Sequence, residues 1–188
     1  MKQDFEIWMI RIKDDPVSEA YAKYCLDSWK GFEVELFDAV IPSTRDIFLD
    51  GLKFGPKIGR GIHDPKKFFD VPLISPTEQA CFLSQYWLWK RCWEEDKPIL
   101  ILEHDALLLK PDYIWFDRRF YFQMFGRFAM EAVMFTPGMC EKMFAYIHRF
   151  DNLITYGPMS MIDHVALGSL MGQSKNAIPH ARFIGPHA

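Results

Sequence analysis

The sequence has no pair of cysteines at the spacing of a metal or redox motif. Its four cysteines (Cys25, Cys81, Cys92 and Cys140) are scattered, and three of them lie in apolar surroundings, the pattern of buried, reduced thiols. A reduced, cytoplasmic protein is the expectation. Long hydrophobic runs are missing too. No apolar stretch approaches the ~20 residues that a membrane helix needs, and the first ten residues, with Lys2, Asp4 and Glu6, do not read as a signal peptide. No transmembrane segment is therefore expected. Nor is there an excess of positive charge: a formal net charge of -3 gives no whole-protein attraction to nucleic acid or anionic lipid, so nucleic acid is not an expected partner. There is no internal repeat and no dividing linker, and 188 residues suit one domain, covering 1–188, better than two.

Aromatic residues are plentiful, with 17 Phe, 7 Tyr and 6 Trp, enough for a dense core and for platforms on which sugar rings or bases stack. Phe5 to Ile12 reads as a strand ending at Lys13-Asp14-Asp15-Pro16. Ser18 or Asp15 then caps a helix over about Glu19 to Trp29 that Gly31 ends, and Phe32 to Val40 alternates as a second strand. Strand, helix and strand at this spacing predict a βαβ start and a parallel sheet.

The segment from about 43 to 74 differs in character, being rich in Pro and Gly and carrying Lys53, Lys57, Arg60, Lys66 and Lys67. It reads as a long mobile loop. It is not a phosphate-binding P-loop, because Lys57 is followed by Ile58 where that motif needs Ser or Thr. Two readings stand: a cationic lid, with Lys57 and Arg60 over a diphosphate, or a solvated surface loop. Beyond it, Ser75-Pro76-Thr77-Glu78 makes a capping box for a helix running to about Glu95. ILILEHDALLL follows, and its four consecutive aliphatics are those of a strand covered on both faces. Val133 to Thr136 reads as a further strand, Pro137 to Phe150 as a helix and Met161 to Met171 as a last helix. The aromatic stretch from Tyr113 to Phe128 fits core plus a subunit interface in a homo-oligomer.

The chemistry concentrates at Glu103-His104-Asp105. If the strand stays extended, Glu103 and Asp105 share a side about 6.5 Å apart while His104 faces away. Carboxylates at the carboxyl end of a buried parallel strand occupy the place where open α/β sheets bind ligands. Their mutual repulsion is relieved by a divalent cation, and oxygen ligands favour Mg²⁺ or Mn²⁺ over zinc. Such a metal bridges a diphosphate and stabilises the charge that develops as a sugar leaves. By itself, an acidic turn after a strand carries little information.

The residues around it carry more. SPTEQACFLSQYWLWKRCWEEDKPILILEHDALLL resembles glycosyltransferase family 25, the group of lipopolysaccharide and collagen galactosyltransferases, at Glu78, Ala80, Cys81, Ser84, Trp89, Glu103, His104 and Asp105. EAVMFTPGMCEKMFAYI and Asp163 in SMIDHVAL extend the resemblance. The triplet reads E-H-D where the family has E-D-D, and Gln85 stands where it usually has His. The resemblance implies a GT-A-like α/β fold, a mixed, mostly parallel sheet flanked by helices. It also implies a nucleotide-sugar donor, UDP-galactose being the first to try, a divalent metal, and inverting transfer to a hydroxyl of a glycan, a lipid-linked or a protein acceptor. In that frame Asp105 and Glu103 hold the metal with His180 completing its shell. Glu103 also reaches the ribose, Glu78 and Ser84 shape the nucleotide pocket or only cap and pack, and Asp163 is the base. The rival from another class is a binding or regulatory module that kept this fold and lost catalysis. A phosphohydrolase or nucleotidyltransferase ranks last, because two-metal sites need more carboxylates than one acidic pair.

Overall fold

The structure, a computed structural model, describes residues 3–50, 75–109, 122–124, 132–149 and 181–183. Along the chain these form β1 (Glu6–Arg11), α1 (Pro16–Ser28), β2 (Val34–Asp38), α2 (Arg45–Asp50), α3 (Pro76–Glu94), β3 (Ile99–Glu103), β4 (Ala106–Leu108), β5 (Phe122–Met124), β6 (Ala132–Phe135), α4 (Pro137–Arg149) and β7 (Ala181–Phe183). Their contacts group into two units. One holds the described residues up to Asp38, those from Leu88 to Cys140, and β7. The other holds the described residues between Ala39 and Trp87 and those from Glu141 to the end of α4 at Arg149.

The first unit contains a five-stranded sheet in the order β2-β1-β3-β6-β5. β1 pairs in parallel with both β2 and β3, while β6 runs antiparallel between β3 and β5. Four of the five strands therefore share a direction, and the sheet is mixed and mostly parallel, as the GT-A-like reading implies. Each run of aliphatics has a physical counterpart here. Ile99, Leu100, Ile101 and Leu102 are all at most 1% exposed, because β3 lies mid-sheet with helices over both faces. Burial of this kind stabilises by about 1.5–3 kcal/mol per side chain.

On one face, Ile7, Met9, Leu100, Leu102 and Met134 pack with Ala22, Cys25 and Trp29 of α1. On the other, Trp89 meets Phe135, with ring centres 5.7 Å apart, and the Arg91 guanidinium lies over Trp8. The alternation of β1 decides which side chains go where, since i and i+2 share a face.

α1 starts at Pro16, before the Glu19 expected from the sequence, and uses the earlier of the two candidate caps. Asp15 is the N-cap, its Oδ1 accepting from Ser18 N at 2.7 Å, and Pro16 occupies the first turn. Ser18, the other candidate cap, instead accepts from Ile12 N at 2.8 Å and ties the β1–α1 loop to the helix. Beyond the C-cap Trp29, Gly31 adopts φ +105°, a left-handed conformation that suits glycine. The short antiparallel pair β4–β7 also belongs to this unit. Its register sets Leu108 against Ala181 and Ala106 against Phe183, so β7 ends beside the start of β4.

In the second unit, Phe48 of α2 meets Trp87 edge-on, and Tyr86 packs edge-on against Phe144. The segment expected as a loop over 43–74 thus opens with the helix α2, and 51–74 lie outside the described residues. Cys25, Cys92 and Cys140 are buried and reduced, as their surroundings in the sequence suggest, and Cys81 is exposed. No helix among the described residues is long and apolar enough to cross a membrane.

Candidate functional site

The strand order places the chain's change of direction between β1 and β3. From β1 the chain crosses to β2 on one side, then returns to β3 on the other. In open α/β sheets this switch point, at the carboxyl ends of the strands, is where a crevice forms for ligand. Two segments of the first unit meet that description: the β1–α1 loop from Ile12 to Asp15, and the acidic turn after β3.

The acidic turn departs from the extended geometry expected of it. β3 ends at Glu103, which stands opposite Ile10 in the sheet, and His104 and Asp105 form a turn from which β4 leaves to pair with β7. The pleat that would set Glu103 and Asp105 on one side stops at Glu103. The two carboxylates also differ in environment. Glu103 is half-buried, whereas Asp105 is 6% exposed. Asp105 Oδ1 is buried and has no hydrogen-bond partner among the described residues. Burial pushes this carboxyl above the usual carboxylate range, against the opposing pull of His104 and of its own backbone N–H. A buried carboxylate oxygen without a donor is costly, and a hard divalent cation is the partner that its chemistry suits. Asp105 thus fits the metal expected here, although among the described residues no three His, Cys, Asp or Glu side chains gather in one group.

His104 turns toward α1, its ring centre 6.1 Å from that of Tyr21. Cys25, one helical turn further on, lies close enough to Asp105 for the carboxylate to act on it. Burial, with that charge adding to it, pushes the Cys25 thiol up to about 12.

The β1–α1 loop is braced by charge. Arg11 Nη1 donates to Glu19 Oε1 at 3.0 Å, and Arg11 Nη2 lies 3.1 Å from Asp38 Oδ1 at the end of β2. Glu19 also accepts from Asp14 N at 3.1 Å, holding Asp14 at φ +62°, a left-handed conformation uncommon for a non-glycine residue. A groove of about 400 Å³ runs beside this network, lined by Arg11, Glu19, Lys23, Leu26 and Leu36 among others. Neither Glu103 nor Asp105 lines it, so the groove and the acidic turn are separate features.

Of the other residues singled out in the sequence, Glu78 and Ser84 belong to the second unit and act within it. Glu78 closes the capping box with Ser75: Ser75 N donates to Glu78 Oε2 at 2.6 Å, and Glu78 N donates to Ser75 Oγ at 3.2 Å. Ser84, 2% exposed, accepts from Val40 N and donates to Ala80 O. Lys57, Arg60, Asp163 and His180 lie outside the described residues. Sequence reasoning missed the part played by α1, whose Tyr21, Cys25, Ser28 and Trp29 line up along the acidic turn and β4. Their i, i+4, i+7, i+8 spacing marks one helix face, but nothing in it says which turn that face meets.

Residues 28–114 match the model of glycosyltransferase family 25, described as LPS biosynthesis protein. The match takes in β2, α3, β3, the acidic turn and β4. Over this segment the chain resembles glycosyltransferase family 25. It is also similar to the lipooligosaccharide biosynthesis protein lic2B of Haemophilus influenzae, with 37% identity over 82 residues. That similarity takes in 43% of this chain and 26% of the relative, so the chain matches about a quarter of that protein's length. The crystal structure of mouse xyloside xylosyltransferase 1 in its apo form aligns with 89% of this chain and 83% of its own at 8% identity and a TM-score of 0.45.

Proposed function

We propose that this chain is a member of glycosyltransferase family 25 and transfers a hexosyl group from a nucleotide-sugar, UDP-galactose being the first candidate donor, to a hydroxyl of a glycan, lipid-linked or protein acceptor, with inversion and with Mn²⁺ or Mg²⁺. The observation that carries this reading is the buried Oδ1 of Asp105 at the switch point of the sheet, which has no hydrogen-bond partner among the described residues. Asp105 would ligate the metal directly. Glu103, less buried, would reach the ribose or a metal-bound water, and His180 would complete the shell. The metal supplies positive charge against the diphosphate as the sugar departs. Lys57 and Arg60 would close over that diphosphate, and Asp163 would take the proton of the acceptor hydroxyl. Glu78 and Ser84 are left out of the donor site, since both already serve the second unit's own backbone.

The His104 of the E-H-D triplet favours a second reading, a binding module without turnover. Incubation with UDP-[¹⁴C]galactose separates the two. The enzyme reading expects metal-stimulated release of labelled galactose or its transfer to an acceptor, falling at least about 100-fold in Asp105→Ala. Metal-dependent UDP binding with no release or transfer for any nucleotide-sugar would replace the enzyme with the module.

A further inference from the structure

The acidic turn is followed by a strand of only three residues, and α1 supplies what the main sheet does not. Ala106 C=O and Leu108 N–H project from the same edge of β4. A neighbouring strand would ordinarily meet that edge. Here Trp29 Nε1 donates to Ala106 O at 2.9 Å, and Leu108 N donates to Ser28 Oγ at 2.9 Å. The Ser28 hydroxyl in turn donates to Cys25 O at 2.6 Å, which leaves its lone pairs for Leu108. Two consecutive side chains at the end of α1 thus substitute for a strand, while β7 pairs with β4 through the register of Leu107 and Arg182.

The same helix face continues toward the turn, with Tyr21 against His104 and Cys25 within reach of the Asp105 charge. Residues 104, 106 and 108, on both sides of Asp105, are therefore each met by α1 or its C-cap. Trp29 is 1% exposed and Ala106 fully buried. Without the indole N–H, the Ala106 carbonyl would have no water to turn to. A phenylalanine at position 29 would keep most of the packing but not that donor. The indole nitrogen is the feature that calls for an explanation beyond core filling.

We propose that Trp29, together with Ser28, is a positioning residue that fixes the peptide following Asp105 and so aims the Asp105 carboxylate at the cation. This rests on the metal-dependent reading above. Neither residue touches substrate; both act through the turn. The metal-holding groups of a site keep their affinity only while surrounding hydrogen bonds orient them.

The test is Mn²⁺ binding to the full chain with UDP present, read from the electron paramagnetic resonance signal of free aquo-Mn²⁺. The variants are Trp29→Phe, Ser28→Ala and, as a control in the same core, Ile7→Val. The apparent Mn²⁺ Kd should rise about tenfold in Trp29→Phe and about threefold in Ser28→Ala, with faster amide exchange from Ala106 to Leu108. Ile7→Val should lower Tm and leave the Kd unchanged. A wild-type Kd in Trp29→Phe, or an equal rise in Ile7→Val, overturns the inference alone. Should Trp29→Phe not fold, an unchanged Kd in Ser28→Ala overturns it by itself. Absence of Mn²⁺ binding by the wild-type chain overturns the metal reading, and this inference with it.

Discussion

Val40 N donates to Ser84 Oγ at 2.9 Å in a buried setting, pinning the residues after β2 to α3 within the second unit. The same hydroxyl donates to Ala80 O at 3.0 Å, so both its capacities serve the backbone. Ser84→Ala leaves a buried N–H without a partner and should cost about 1–3 kcal/mol. Urea unfolding measures that loss. Nucleotide affinity, compared at a temperature where both proteins are folded, should be unchanged.

Glu6 carries a pH signature. Burial raises its pKa, but hydrogen bonds from Arg91, Trp8 and Lys97 outweigh that effect and bring it from 4.5 to about 2. Its folded-state pKa is depressed, so its contribution is fully present above about 4.5 and is lost as pH falls through about 2. Glu6→Gln should lower stability at neutral pH by about 1–2 kcal/mol after solvent screening. It should also flatten the slope of stability between those two pH values, as acid-range denaturation curves would show.

Asp105 has the opposite sign. Its folded-state pKa is raised, so the ionised form opposes folding, and stability falls as pH rises from the usual carboxylate range through the raised value. Asp105→Asn should therefore stabilise the metal-free protein at pH 7, read as a rise in Tm over wild type. A substitution that raises Tm without metal while removing the gain conferred by metal is the mark of a residue held for function.

Thiol reactivity should divide the cysteines three to one. Cys81 is exposed, whereas Cys25 and Cys140 are buried with their thiols pushed upward and Cys92 is buried beside Phe135 O. Ellman's reagent should label one thiol in the native protein, and none in Cys81→Ser until it is unfolded.

Much of the fold could be read from the sequence because local signals and tertiary demands agree. Asp15-Pro16 and Ser75-Pro76-Thr77-Glu78 specify helix starts through backbone donors that need acceptors, and both caps form. Four successive aliphatics at 99–102 require cover on both faces, and they have it. The site was harder to read. Treating Glu103 to Asp105 as extended missed that the chain must leave the main sheet to pair with β7, a non-local demand with no local mark. The same holds for Trp29. Its indole meets a carbonyl 77 residues away, and a tryptophan at a helix end looks no different whether it fills space or holds a turn.

The central claim, that Asp105 anchors a metal-dependent nucleotide-sugar site, is tested most directly by a thermal-shift titration with UDP and UDP-galactose, with and without Mn²⁺, on wild type and Asp105→Ala. The account expects Tm to rise only when nucleotide and Mn²⁺ are both present, because a ligand bound only by the native state stabilises by mass action. That rise should vanish in Asp105→Ala. A nucleotide-dependent shift that ignores Mn²⁺, or one that survives in Asp105→Ala, would contradict it.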